Sequence, residues 1–177
     1  MRATRRLAVS SIAVLALVAG TGAVSSQAFA NGGKPKPDTV SVRGDVQHKL
    51  KLTAAELTAL PQQSITVTYK SGSAAETHTF TGPLLLDVLN AAVPDFDPAV
   101  KNDKLGHFVD VAGSDGYEAV VAWGEFDPDF EGKQLLVAIT QDGVALGDAG
   151  PRLVVPGDGR GGRYVSDVVS IRLAPTR

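Results

Sequence analysis

The side chains best equipped for chemistry crowd into one stretch, Gly157-Asp158-Gly159-Arg160-Gly161-Gly162-Arg163-Tyr164. A carboxylate such as Asp158 can accept two adjacent N–H groups as a fork. Arg160 and Arg163 can donate planar arrays of N–H to carbonyls or anions. Tyr164 offers a ring face and a hydroxyl. The interleaved glycines let the backbone approach a ligand closely. This set suits a flat, polar heterocycle with an amino edge on one side and carbonyl or anionic groups on the other. The plainer alternative is a surface loop whose charges pair among themselves.

Other patterns carry less. Gly157-x-Gly159-x-x-Gly162 satisfies the dinucleotide-binding expression, but that motif works only where a strand enters a helix whose N-terminus faces the pyrophosphate. Here Tyr-Val-Ser-Asp-Val-Val-Ser-Ile follows, which alternates like a strand. His48, His78 and His107 lie in separate elements without ligand spacing, and Asp95-x-Asp97 and Asp127-x-Asp129 do not match a calcium loop. Arg43-Gly44-Asp45 spells an adhesive tripeptide that is common by chance. No serine sits in Gly-x-Ser-x-Gly. The sequence has no cysteine, which removes thiol catalysis, thiolate metal sites and disulfides. We therefore expect no protein metal ligand and no catalytic residue. Trp123, the sole tryptophan, is either a core anchor or a stacking surface.

The elements that must position the loop are legible in periodicity. Val40 and Val42 alternate as a strand, and Thr53-Ala54-Ala55-Glu56 is a capping box for a short helix ending before Pro61. Residues 65–69 form the clearest strand, and a polar turn over 71–75 leads to a returning strand over 77–80. Gly82-Pro83 opens a second helix in which Leu84, Leu85, Val88 and Leu89 share a face to about Ala92. Strands are expected over 108–111, 117–121, 135–139, 152–155 and 165–173, with a helical turn over 123–126. Asp142-Gly143 marks a hairpin. The order predicts an α+β fold, strand-rich and mixed, with two or three short helices.

Residues 1–30 read as a signal peptide: Arg2, Arg5 and Arg6, an apolar run from Leu7, then Ala28-Phe29-Ala30. The run is interrupted by polar and glycine residues and is too short to anchor in a bilayer. Export, to a secreted or periplasmic location, is the expectation. Cleavage would leave 147 of the 177 residues, with a flexible leader over 31–38 and one domain over 39–177. Three of the 17 basic residues lie in the signal, leaving 14 against 19 acidic ones, a net of −5. That balance argues against nucleic acid and anionic membranes as partners.

Several segments, taken in order, resemble the molybdopterin-binding domain of the sulfite oxidase family. Leu52-Thr53-Ala54-Ala55-Glu56-Leu57-Thr58-Ala59-Leu60-Pro61 is similar to the family's helix ending in Ala-Leu-Pro. Phe80-Thr81-Gly82-Pro83-Leu84-Leu85-Leu86-Asp87-Val88-Leu89 is similar to its Gly-x-Pro-Leu step, Gly113 to Tyr117 to its Asp-Gly-Tyr turn, and Gly150 to Val165 to its closing motif. The resemblance implies the sulfite oxidase fold, barrel-like and strand-rich, and a molybdopterin-type cofactor. The sequence departs from it in three places. Lys70-Ser71-Gly72 stands near the position of the family's metal-binding cysteine, the connection to Phe80 is short, and Ser166 stands near the position where the family usually has a lysine that helps hold the cofactor's phosphate.

The resulting expectation is an exported, non-catalytic module that binds a pterin or molybdopterin-like molecule, for sensing, carriage or delivery to an extracytoplasmic protein partner. Asp158 would take the amino edge, and Arg160 and Arg163 the carbonyl or anionic side. Tyr164, Tyr117 or Trp123 would stack on the ring, and Ser71 would occupy the vacated metal corner. Two alternatives stay open: an oxidoreductase, or subunit of one, whose metal is held only by the cofactor dithiolene, and a protein-interaction module without ligand.

Overall fold

The computed structural model describes residues 38–176; the expected signal peptide and residues 31–37 of the leader lie outside the described residues. The chain order is β1 (Thr39–Gly44), β2 (Leu50–Thr53), α1 (Ala54–Ala59), β3 (Gln62–Ser71), β4 (Ala74–Pro83), α2 (Leu85–Ala92), β5 (His107–Gly113), β6 (Glu118–Ala122), α3 (Trp123–Phe126), β7 (Leu136–Ala138), β8 (Thr140–Gln141), β9 (Val144–Ala145), β10 (Arg152–Val154) and β11 (Val168–Pro175). Short 3₁₀ turns lie at Asp103–Gly106, Gly147–Ala149 and Gly161–Arg163. The fold is α+β, mixed and strand-rich.

Three sheets share the work. The largest has the order β2-β1-β11-β5-β6, a second has β3-β4-β8-β9, and β10 pairs with β7. β1 and β11 run parallel, while the other paired strands are antiparallel. Alternation decides the faces: β5 buries His107, Val109, Val111 and Gly113. Val42, Val109, Val121, Ile171 and Leu173 of the large sheet meet Phe80, Leu85, Leu89, Leu136 and Leu153 in one core. With no cysteine to cross-link it, burial of this apolar surface must carry the fold.

The capping box on α1 forms as expected: Thr53 Oγ1 accepts from the Glu56 backbone N–H at 3.3 Å, and Glu56 accepts from the Thr53 N–H at 2.7 Å. The Thr53 N–H, and after it the Thr53 hydroxyl donating to the same carboxylate at 2.8 Å, hold the Glu56 carboxyl below its ordinary range. Two boundaries differ from expectation. The helix signalled at Gly82-Pro83 begins at Leu85, because β4 continues through Pro83. A Cβ on Gly82 would stand 2.3 Å from the Val137 carbonyl oxygen, so only glycine allows this crossing of β4 over β7. The last strand begins at Val168 rather than Val165. Val165 is drawn aside to accept from the Leu153 N–H at 2.9 Å, and Asp167 turns through a left-handed φ of 52° before the strand resumes.

Asp45 of the Arg-Gly-Asp tripeptide is committed inward. Its carboxylate lies 2.8 Å from Nε2 of His107, whose Nδ1 is 2.9 Å from the Asp103 carbonyl oxygen. The buried histidine thus ties the turn after β1 to the start of β5.

Candidate functional site

β3 and β4 form a hairpin around Gly72 and Ser73, and the 157–164 loop folds back onto its end. The Lys70 N–H donates to the Gly159 carbonyl at 3.1 Å, which sets the loop alongside the last turn of the hairpin. A Cβ on Gly161 would come within 3.0 Å of the Tyr69 ring, so glycine lets the loop close down there. Between the two lies a cleft of about 530 Å³. Its hairpin wall is Tyr69, Lys70, Ser71 and Glu76; Arg160 and Tyr164 come from the loop and Arg152 from β10. The volume is that of a small-molecule site.

Charge defines the cleft. Lys70, Arg152 and Arg160 line it against one carboxylate, Glu76. Arg152 is held by neutral partners, donating to Gln141 Oε1 at 3.2 Å and to Ser166 Oγ at 2.8 Å, so its charge is unspent. Among the described residues the side chains of Lys70 and Arg160 have no ion-pair or hydrogen-bond partner. A second hollow, of about 300 Å³, is lined by Val40, Leu52 and Leu57 with Asp38, Asp148 and Asp167, and among the described residues its lining includes no Lys or Arg. An anionic ligand is therefore directed to the first.

Tyr164 is buried against Tyr69, ring centroids 4.4 Å apart in a stacked arrangement. Its hydroxyl has no hydrogen-bond partner. Burial, with Asp158 and Tyr69 adding to it and Arg163 opposing, pushes the Tyr164 phenol up to about 12. A buried hydroxyl left unpaired is costly.

The sequence-based site residues divide sharply. Ser71, Arg160 and Tyr164 line the cleft. Tyr164, expected to stack on a ligand, stacks its ring on Tyr69. Asp158 and Arg163, expected to read opposite sides of a ring, instead read each other. Arg163 Nε donates to Asp158 Oδ2 at 2.9 Å and Nη2 to Oδ1 at 2.7 Å, while Nη1 reaches Glu125 Oε2 at 2.9 Å. Asp158 pairing and Glu125 drive the Arg163 pKa far upward, although burial opposes them. Both carboxylate oxygens of Asp158 are consumed, so neither residue is open to a heterocycle. Tyr117 stands outside the cleft, with its hydroxyl donating to the Gly162 carbonyl and steadying the loop. Trp123 is a core anchor: it is 3 % exposed, packs edge-on against Phe96, and donates from Nε1 to Asp127.

Sequence reasoning missed Lys70, Glu76 and Arg152. Lys70 and Glu76 look like ordinary hairpin charges, and Arg152 like the polar start of an apolar run. The one available signal was the cation in Arg152-Leu-Val-Val, an odd residue for a strand entering the core.

A family model described as "Oxidoreductase molybdopterin binding domain" matches residues 31–175. The chain belongs to that family. Among solved structures it is similar to the sulfane dehydrogenase SoxCD from Paracoccus pantotrophus, at 19 % identity and a TM-score of 0.61 over 82 % of this chain. The match covers 40 % of that chain, so the present sequence spans well under half of its length. At that identity the likeness concerns the fold. No curated protein matches.

The cleft suits the organic part of a molybdopterin: cations for a phosphate, polar and aromatic side chains on its walls, and adequate volume. It differs at the metal corner. Ser71 and Gly72 stand in the hairpin turn there, and these 177 residues contain no cysteine to supply a thiolate. Ser166, where the family resemblance leads one to expect a cation, instead accepts from Arg152.

Proposed function

We propose that this chain is an exported binding module that holds an anionic pterin, molybdopterin or a close relative, in the cleft between the β3–β4 hairpin and the 157–164 loop. It does so without acting as an oxidoreductase on its own. One observation supports this above the rest: among the described residues, three cations without carboxylate partners converge on a cleft lined also by Tyr164, whose buried hydroxyl has no partner. Lys70, Arg152 and Arg160 would hold the phosphate or carbonyl side, and Tyr164 Oη and Ser71 would bond ring or side-arm atoms. When bound, molybdopterin supplies a dithiolene able to carry a redox metal; this chain's residues bind and orient it. The missing cysteine supports a role in carriage, sensing or delivery to a protein partner.

The test is a fluorescence titration with 6-carboxypterin, an anionic and intrinsically fluorescent pterin. Saturable binding by wild type, weakened about tenfold in Arg152→Ala and in Arg160→Ala, is expected, since a charge-assisted hydrogen bond contributes about 1.5–3 kcal/mol. Binding that is indifferent to both substitutions would sink the assignment. Export has its own check: N-terminal sequencing of protein recovered outside the cytoplasm should begin at Asn31.

A further inference from the structure

The outer edge of β3 is unlike the other outer edges of the two larger sheets. β2 has four residues and carries Lys51, β6 has five and carries Glu118, and β9 has two. β3 has ten residues, and from Gln62 to Tyr69 it holds no charge and no proline. Short length, charge and proline are the usual protections of an exposed edge, and β3 from Gln62 to Tyr69 lacks all three.

Which backbone groups point outward follows from the register. Ser71 pairs with Ala74 across a two-residue turn, so Ser71, Tyr69, Val67 and Ile65 exchange hydrogen bonds with β4. Lys70, Thr68, Thr66 and Ser64 turn their N–H and C=O groups the other way. Lys70 confirms the parity, because its N–H reaches out to Gly159. Among the described residues β3 pairs with β4 alone, apart from that bridge between Lys70 and Arg160. The exposed face of the hairpin carries a ladder of hydroxyl pairs: Ser64–Thr81 at 2.7 Å, Thr66–Thr79 at 2.8 Å and Thr68–Thr77 at 2.8 Å.

We propose that this edge pairs with the same edge of a second copy of this chain, antiparallel about a two-fold axis at Thr66. The occupant is a second copy because the strand is complementary to itself on both faces. In that register Thr66 lies opposite Thr66 and Ser64 opposite Thr68, each pair exchanging its outward backbone hydrogen bonds. The hydroxyl ladder then continues across the junction. On the other face Ile65 lies opposite Val67, aliphatic against aliphatic, and the pairing runs from Ser64 to Thr68, because the outward N–H of Lys70 is already taken by the Gly159 carbonyl. The two sheets become one, with no edge left at β3.

Sedimentation velocity of the wild-type chain from about 1 to 100 µM, with Thr66→Lys and Val120→Lys beside it, tests the proposal. A concentration-dependent dimer is expected for wild type. Thr66→Lys sets two like charges opposite each other and should raise the dimer dissociation constant tenfold or more. Val120→Lys lies on the outer face of β6 and should leave dimerisation unchanged. Circular dichroism shows whether Thr66→Lys is folded. Amide exchange at Ser64, Thr66 and Thr68 in wild type, slowing with concentration, gives a second reading independent of any variant. A wild-type monomer throughout that range overturns the proposal, including the case in which the edge serves a foreign strand. So does a dimer dissociated by Val120→Lys and not by Thr66→Lys. Pterin binding plays no part in either readout, so this inference and the cleft assignment fail separately.

Discussion

Arg160 and Arg163 sit three positions apart on one loop and have opposite fates. Arg163 is closed on both sides by Asp158 and Glu125. Arg160 faces the cleft with no carboxylate partner. The first fixes where the loop stands, and the second gives the loop something to do once it stands there. A charge that finds its counter-charge within the fold is architecture, whereas an exposed one left to solvent is available to a ligand.

The comparison breaks most visibly at Arg163. Its loss in Arg163→Ala would leave Asp158 and Glu125, 17 % and 22 % exposed at their side chains, close together without the cation between them. Removing one partner from a buried pair costs about 3–5 kcal/mol; partial exposure reduces the expected cost here to about 2–3 kcal/mol. Urea unfolding should show this as a lower midpoint with little change in slope. A cost below about 0.5 kcal/mol would remove the architectural role. Arg163→Lys should recover only part of the loss, because an ammonium cannot reproduce the fork.

Arg160→Ala is the counterpart, and the smaller effect. Stability should move by no more than about 0.5 kcal/mol, the usual range for a surface change. Affinity for 6-carboxypterin should fall about tenfold, near 1.4 kcal/mol. If Arg160→Ala instead destabilises the protein as much as Arg163→Ala does, the division between the two arginines is wrong.

How much of this was legible beforehand follows the same division. The elements were readable because each depends on local spacing: the Thr53–Glu56 capping box, the alternation through residues 65–69, the apolar face of Leu85, Val88 and Leu89. The loop was readable as a site through its composition. Which of its charges would be free was not, because the partner that decides it, Glu125, lies on α3, 38 positions away in sequence. Lys70 and Arg152 were hidden for a related reason. Their position in the cleft depends on the hairpin and β10 meeting in space, which no local pattern encodes. Trp123 had two readings, and the structure gives it to the core through Phe96 and Asp127.

Tyr164 combines both roles, and its substitution sharpens the comparison by the smallest margin. Its ring belongs to the architecture, stacked on Tyr69, while its hydroxyl is buried with no partner. Tyr164→Phe keeps the ring and deletes the unpaired group, so stability should rise by about 1 kcal/mol. The same change should weaken pterin binding severalfold, because the ligand loses the one partner that hydroxyl was held for. The pH dependence follows from the proton. The Tyr164 phenol is pushed up to about 12 in the folded chain, against 10.0 ordinarily, so between those values the unfolded chain releases its proton first. Stability should therefore be intact below about pH 10 and decline as pH rises towards 12, and Tyr164→Phe should flatten that decline. A substitution that stabilises the fold while weakening the complex is expected only where the hydroxyl serves a ligand; a purely structural hydroxyl would lose stability on removal and leave affinity alone.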